Sequence, residues 1–580
     1  MQFKNFHLRA AALFLLCSNV SFAQVFSPIT DPTNPINTAP HAGVYNGCAL
    51  VDVDGDGDLD VSMLGYLFRN EGAEKFTQIN SFGDGNAVGL GSVSWADYEN
   101  DGDLDCLLGT LFHTEIFVND GGGNFTRKNV TTATLPTWSA QWGELNNDGL
   151  MEVMITVANG FSGLNTPNFL FIGQADGSFQ SQSEEFTRAR APYTVTYFSD
   201  FDVDGDLDVF IASGPGGSPG PDFLYRNRFK ETGSYKLERI SDLPFATQQQ
   251  DGQCYNFIDS DNDGDLDLCI TNWTGASNRF YENLNGTFAG RSNALTFNTA
   301  SLSNCWGDFD NDGDLDVILT AGQASRAGYY KNNGNNSFAQ VGNPFNVFGG
   351  SSLSVNGISA GDFDNDGDLD FFAIGNGNFS KLFRNDLTGD NHWVNFTLEG
   401  NPTNRAAIGT RIFLKATING APVWLQREIS SQNTFMGHNS LRAHFGLGDA
   451  TIIDSLDIRW LSGNREIYTN VEIERFYKIK EGEGISTAVK DFEKSVDKMQ
   501  IYPNPADSNF VRLSLPAKKS VEGTGLFSLY SMEGKLIFSE KIRLAGETTA
   551  DIKLPGLQKG IYLGSLQIKG ERFAEKLVIH

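Results

Sequence analysis

A nine-residue acidic pattern, D-x-D-x-D-G-D-L-D, recurs seven times and restricts the fold more than any other feature of this chain. The first copy holds Asp52, Asp54, Asp56, Asp58 and Asp60, and the second Asp97, Glu99, Asp101, Asp103 and Asp105. The third is worn: Glu144, Asn146, Asp148, Leu150 and Glu152. The fourth holds Asp200, Asp202, Asp204, Asp206 and Asp208, and the fifth Asp259, Asp261, Asp263, Asp265 and Asp267. Asp308, Asp310, Asp312, Asp314 and Asp316 form the sixth, and Asp362, Asp364, Asp366, Asp368 and Asp370 the seventh. Starts lie 45 to 59 residues apart, a period that marks repeated supersecondary units.

Carboxylates at positions 1, 3 and 5, a backbone carbonyl at 7 and an acid at 9 form an oxygen cage suited to Ca²⁺, with Gly at position 6 for the sharp turn. An EF-hand would need Glu at position 12 and flanking helices. Position 12 is Met63, Leu108, Ile155, Ile211, Ile270, Leu319 or Ala373, none of which ligates, and the flanks are short apolar strand-like runs. Two carboxylates about 6 Å apart repel by roughly 3 kcal/mol at an effective dielectric near 20, so such a loop needs a cation or protons. Six Ca²⁺ sites are expected, with a seventh at the worn copy left open.

The formal net charge is −28, or −30 without Lys4 and Arg9 of the leader. The nonapeptides hold 33 acids, and without them the mature chain would stand near +3. The acidity therefore belongs to the metal loops and implies no basic partner. A nucleic-acid reading, which needs a basic stripe, has no support.

Residues 1–23 read as a secretory signal: Lys4 and Arg9, an apolar run, then Ser21-Phe22-Ala23. Cys17 raises a lipoprotein alternative, against which Leu16 is large for a lipobox. No other stretch reaches the ~20 apolar residues of a membrane span. Cys48, Cys106, Cys254, Cys269 and Cys305 flank the acidic loops and read as small buried hydrophobes, with a Cys254–Cys269 disulfide as the alternative.

Each unit runs aromatic strand, acidic loop, apolar strand, Gly/Asn-rich turn, aromatic-Asn segment, turn and Phe-led strand, which predicts a propeller blade of four antiparallel strands. The Phe-led strands start at Phe76, Phe125, Phe179, Tyr235, Phe288 and Phe338. The seventh is missing after Phe383-Arg384-Asn385 and is supplied by Val25–Thr30, which predicts that the N-terminal strand closes the ring. Leu50, Trp95, Trp142, Phe198, Phe257, Trp306 and Ala360 hold one register before the loops and read as packing between blades, with sugar stacking as the alternative.

Residues about 40–387 resemble the FG-GAP/VCBS repeat family, calcium-loop propellers that include integrin α-subunit heads. Asn391-His392-Trp393, Asn404-Arg405, Ala407-Ile408-Gly409, Phe445-Gly446-Leu447-Gly448 and Trp460-Leu461-Ser462-Gly463 resemble the ASPIC/UnbV domain. The family's Gly-rich segment with Ser-Gln is replaced here by Ser430–Ser440. The tail opens on Ile501-Tyr502-Pro503-Asn504-Pro505 and closes on Lys576-Leu577-Val578-Ile579, similar to the type IX secretion sorting domain of Bacteroidota proteins. These readings predict an all-β chain: signal peptide 1–23, seven-bladed propeller 24–388, small β-domain 389–482, linker 483–498 and β-sandwich sorting domain 499–580. The resemblance implies the type IX machinery as a partner and a secreted or surface location.

No H-E-x-x-H occurs, and the loop acids are committed as ligands, so no catalytic residue is assigned. The expected role is non-catalytic binding of an extracellular glycan or protein, with a Ca²⁺-dependent polysaccharide lyase as the alternative. The turns opposite the acidic loops vary from unit to unit and are the expected recognition face, with Phe161, Trp273, Arg326 and Phe379 as anchors.

Overall fold

The computed structural model describes residues 26–40, 45–79, 82, 90–111, 113–133, 135–157, 167–214, 219–273, 276–348, 353–387, 389–487, 500–502, 510–514, 523–531, 536–544, 549–557, 559–568 and 571–579. The predicted signal peptide lies outside them. They fall into two compact units, residues 1–488 and 489–580.

Seven sheets of the first unit each carry one acidic loop between two antiparallel strands, and the second sheet also takes Tyr45–Asn46 as a parallel edge strand. The first is typical: Cys48–Val51, Asp60–Met63, Tyr66–Asn70 and Phe76–Gln78. Leading strands such as Thr137–Gly143, Ser301–Gly307 and Val355–Gly361 are buried along their whole length. Each leading strand packs beside that of the next sheet, and the last, Val355–Gly361, packs against the first, Cys48–Val51. The strands that leave the loops, such as Asp208–Ser213 and Asp316–Ala321, are buried along their whole length as well, which accounts for the unbroken apolar runs after the loops.

Closure follows the expected route. Phe26–Pro28 pairs antiparallel with Phe379–Asn385, placing Phe26 opposite Asn385. The Phe26 ring then meets Phe309, Tyr329 and Phe371 edge-on at centroid distances of 5.0–5.8 Å. Tyr235 departs from its expected place. A short helix, Phe229–Thr232, intervenes, and the fourth strand of its sheet is Glu238–Ile240.

The residues before the loops pack between sheets. Trp95 and Trp142 are fully buried, and Tyr98 of the second loop stacks on Trp142 at 5.6 Å. All five described cysteines are buried and free, so Cys254 and Cys269 are not joined.

Residues 392–487 add two more sheets to the same unit. One is ordered Ala443–Gly448, His392–Glu399, Phe476–Lys480 and Gly484–Thr487. The other is Ala421–Glu428, Arg411–Ile418, Ile453–Arg459 and Arg465–Val471. Gly484–Thr487 was expected in the linker but pairs with Phe476–Lys480 as an edge strand. In the second unit, three strands (Gln500–Tyr502, Phe510–Ser514, Thr549–Lys553) and four longer ones (Leu536–Leu544, Gly523–Ser531, Gly560–Ile568, Glu571–Ile579) form two sheets. Ile501, Val511, Phe527, Leu529 and Leu566 are buried in one core there.

Candidate metal loops and the domain that covers them

Each acidic position has a distinct task. The position-1 carboxylate accepts the N–H of the position-6 glycine: Asp52 from Gly57 at 2.9 Å, Asp97 from Gly102 at 2.7 Å, Asp362 from Gly367 at 3.0 Å. Those glycines have φ of 87°, 111° and 100°, a region closed to most side chains. Position 4 is also left-handed and is Gly55, Asn100, Asn147, Asn262, Asn311, Asn365 or, unusually, Val203. Its asparagine reaches the next loop: Asn365 Nδ2 donates to Asp58 at 2.7 Å, and Asn311 to Asp368 at 2.9 Å. The position-7 side chain is thus turned to its neighbour, which leaves its carbonyl for an ion.

The position-9 acid ties two strands together. Asp60 accepts the N–H of Val53 and of Asn70, and Asp105, Asp208 and Asp370 repeat the pattern. The asparagine that closes each aromatic-Asn segment completes the link. Asn70 Nδ2 donates to Leu59 of its own loop and to Phe363 of the seventh. Asn119, Asn227, Asn332 and Asn385 likewise bridge to the preceding sheet. In the worn unit Gly173 stands where this asparagine would be, opposite Phe179. A Cβ there would lie 2.5 Å from the Met151 carbonyl.

The donor sets fit a hard cation. Asp52, Asp54 and Asp60 present oxygens within 4.8 Å of one another, as do Asp200, Asp202 and Asp208, Asp259, Asp261 and Asp263, and Asp308, Asp310 and Asp316. Buried oxygens of Asp52, Asp54, Asp261 and Asp310 have no protein hydrogen-bond donor. Burial pushes Asp52 and Asp97 up to about 6 and Asp105 to about 8, with neighbouring carboxylates adding to the rise. A divalent cation would relieve both burdens. Loop 6 differs, since the Lys331 ammonium pairs with Asp310 and, at 2.9 Å, with Asp312. Arg226 meets Asp202 of loop 4 at 2.7 Å.

The face that carries the loops is covered by residues 392–487. Four position-1 acids contact a side chain of that cap, and the other three face its arginines through charge. Asn404 donates to Glu144 at 3.0 Å, Gln426 to Asp259 at 2.9 Å and Arg411 to Asp200 at 3.3 Å. Arg405 lies 3.8 Å from Asp97. Arg427 faces Asp308 through its charge. Arg442 does so for Asp52 and Asp362, bonding Gly57 O and Asn365 Oδ1 of the two loops.

From this cap, residues 430–440 descend the axis between the leading strands. Ser431 Oγ donates to Trp142 O, Phe435 N–H to Ser303 Oγ, and Val93 N–H to Met436 O. Asn439 bonds Trp306 and Ala360. His438 is fully buried, which holds its pKa down at about 4. Its Nδ1 hydrogen goes to Asn439 O at 2.7 Å, so Nε2 accepts the Trp95 N–H at 3.2 Å. The segment plugs the channel.

Of the expected recognition residues, Trp273 is half-buried and meets Tyr45 edge-on at 5.7 Å, close to the plug residue Phe435. Arg326 is exposed and donates to Thr299 Oγ1. Phe379 is a correction: it opens a strand, is 7% exposed and packs on Phe345 and Phe348, so it is core. Phe161 lies outside the described residues. Sequence reading missed the bridging asparagines, although the aromatic-Asn repeat was visible, and missed the cap's Arg411, Gln426, Arg427 and Arg442, which no periodicity marks.

Family models agree with this layout. FG-GAP-like repeats match residues 52–108, 259–319 and 308–373. The ASPIC and UnbV model matches 400–486, and the secretion system C-terminal sorting domain matches 500–580. The chain combines FG-GAP-like repeats, an ASPIC and UnbV domain and a type IX sorting tail. The sorting domain marks it for export to the cell surface or the extracellular space. Among the described residues no helix is long and apolar enough to cross a membrane.

A search of curated proteins gave no match. Among solved structures, the chain is similar to an ancestral GH74 enzyme at 10% identity and TM-score 0.36, covering 96% of this chain and 85% of that one. It is also similar to the Photorhabdus luminescens Tc holotoxin pore, at 12% identity and TM-score 0.24, over 87% of this chain and 23% of the other. A tetra-tandem repeat of a large adhesion protein matches at 7% identity and TM-score 0.12, over 92% and 99%. Likeness at this level carries no functional argument.

Proposed function

We propose that this protein is a calcium-loaded propeller, displayed on or released from the cell, that binds an extracellular glycan or protein without catalysing a reaction. The observation that carries the reading is the covered metal face. Loops whose first acids are held by Asn404, Arg411 and Gln426, or whose Gly57 carbonyl is held by Arg442, lie under a cap, where calcium would brace the scaffold rather than meet a substrate. The turns expected opposite the loops, such as Ala321–Gly328 with its exposed Gln323 and Arg326, are left for recognition. They differ in length and side chains, as recognition surfaces on a regular scaffold do. Arg326, and Trp273 beside Tyr45, remain the anchors to test there.

The test is a glycan and matrix-protein array probed with residues 24–487 in millimolar Ca²⁺. Binding lost in Trp273→Ala or Arg326→Ala, with folding intact, supports the reading. Depolymerisation of a bound polysaccharide would replace it with the lyase alternative.

A further inference from the structure

One position in every sheet stands beside the acidic loop without belonging to it. It is the residue before the bridging asparagine (before Gly173 in the worn unit): Arg69, Val118, Ile172, Arg226, Glu282, Lys331 and Arg384. Val209 pairs with Tyr225 and Val317 with Tyr330, so one step along, Arg226 and Lys331 stand across from the position-9 acids Asp208 and Asp316. Cross-strand neighbours share a face of the sheet, which turns this position toward the loop.

Its charge differs from sheet to sheet. In loops 4 and 6 it is a cation seated on the loop itself. Arg226 Nε lies 2.7 Å from Asp202 Oδ2, and Lys331 Nζ pairs with Asp310 and, at 2.9 Å, with Asp312. Asp202 and Asp310 are position-3 acids, and both belong to the oxygen clusters that fit an ion. In loops 1 and 7 the cation is drawn aside. Arg69 is held by Glu71 at 2.6 Å, and Arg384 by Glu74 and, at 2.7 Å, by Asp386. Each still acts on its position-3 acid, Asp54 or Asp364, through its charge. Loops 2 and 3 have the neutral Val118 and Ile172. In loop 5 the sign is reversed: Glu282 faces Asp261 and Asp265 through its charge, and its own partner is the half-exposed Arg291 of the outer strand.

We infer that this residue sets how strongly each loop holds a divalent cation, so that the loops form a graded series, tightest at loop 5 and weakest at loops 4 and 6. The inference rests on the calcium reading above and refines it. A unit charge about 6 Å from a divalent ion changes its affinity by about tenfold even at the dielectric of water, and by more where the site is partly buried. In loops 4 and 6 the side chain also takes up a carboxylate oxygen of the donor set. Loops 4, 5 and 6 carry the same five aspartates, so the motif itself does not rank them. They lie in consecutive sheets, which places the tightest site between the two weakest.

The test is flow dialysis of radioactive calcium against the mature full-length protein over a wide range of free Ca²⁺. The wild type should fill in at least two classes of sites. Lys331→Met and Arg226→Met should each make one weakly held ion bind about tenfold or more tighter. Glu282→Gln should weaken one of the tightest ions by about tenfold, and Val118→Lys should weaken one ion by a similar factor. The four variants lie in different sheets, so misfolding of one leaves the others to decide. A single class of sites in the wild type, folded variants whose isotherms superpose on it, or an ion lost in Lys331→Met would overturn the inference and leave calcium in place. No calcium bound by the wild type would overturn it together with the calcium reading.

Discussion

Asn70 and Phe363 stand 293 positions apart, yet Asn70 Nδ2 donates to the Phe363 carbonyl at 3.0 Å and so ties the first acidic loop to the last. The same side chain holds Leu59 O of its own loop and accepts the Gly72 N–H. Replacing it by alanine leaves two buried carbonyls and an N–H without these partners. Asn70→Ala should lower stability by about 2–3 kcal/mol, read as a fall in the denaturant midpoint. A change within error would show that water serves the seam equally well.

Metal removal should matter more than any single side chain. Stabilisation by an ion that binds only the folded form grows with its concentration over Kd at every site. The melting temperature in EDTA should fall far below that in millimolar Ca²⁺. Asp366→Ala should cost more than Asp148→Ala, because the third loop lacks the bridging asparagine and has Asn146 at position 3. Equal melting with and without chelator would remove calcium from the account.

Lys331 competes with an ion in loop 6, since its ammonium pairs with Asp310 and Asp312. Lys331→Met should tighten metal binding there, measured as a lower chelator sensitivity of the melting curve. A variant more sensitive to chelator would mean that the lysine orders the loop for the ion.

The pH dependence has a group outside the loops to report on it. Asp222 is buried beneath Tyr255, Ser213 and Gln250, and burial pushes its carboxyl up to about 8. Because the folded value lies above the unfolded one near 3.8, the stability it contributes is complete below about pH 4 and is lost as the pH rises through 8. In constant Ca²⁺, stability should decline from pH 5 to 8, and Asp222→Asn should flatten that slope. An unchanged slope would assign the dependence elsewhere.

The tail forms its own compact unit. Deleting residues 499–580 should leave the melting of the remainder within about 2 °C and abolish surface display, followed by surface immunolabelling. Display of the truncated protein would contradict a sorting role.

The loops were legible in sequence because each acidic position performs one repeated backbone task, as the shared bonds of Asp60, Asp105, Asp208 and Asp370 illustrate. The closing strand was legible too, as a missing seventh copy supplied by Phe26. The cap's position was not. Arg411 meets Asp200 across 211 residues and Trp95 meets His438 across 343, and single long-range pairs leave no period to detect. Phe379 misled because an aromatic residue beside a Gly/Asn turn looks like a loop residue when it opens a strand.

The plug also sets an order of events. Val93 and Trp95 belong to the second sheet, but the acceptors for their amide hydrogens, Met436 O and His438 Nε2, leave the ribosome more than 300 residues later. Until then the ring has a wet bore instead of a packed axis. A chain interrupted between residues 388 and 430 would possess every acidic loop and still be a hollow cylinder, open to water and to proteases at its narrowest point.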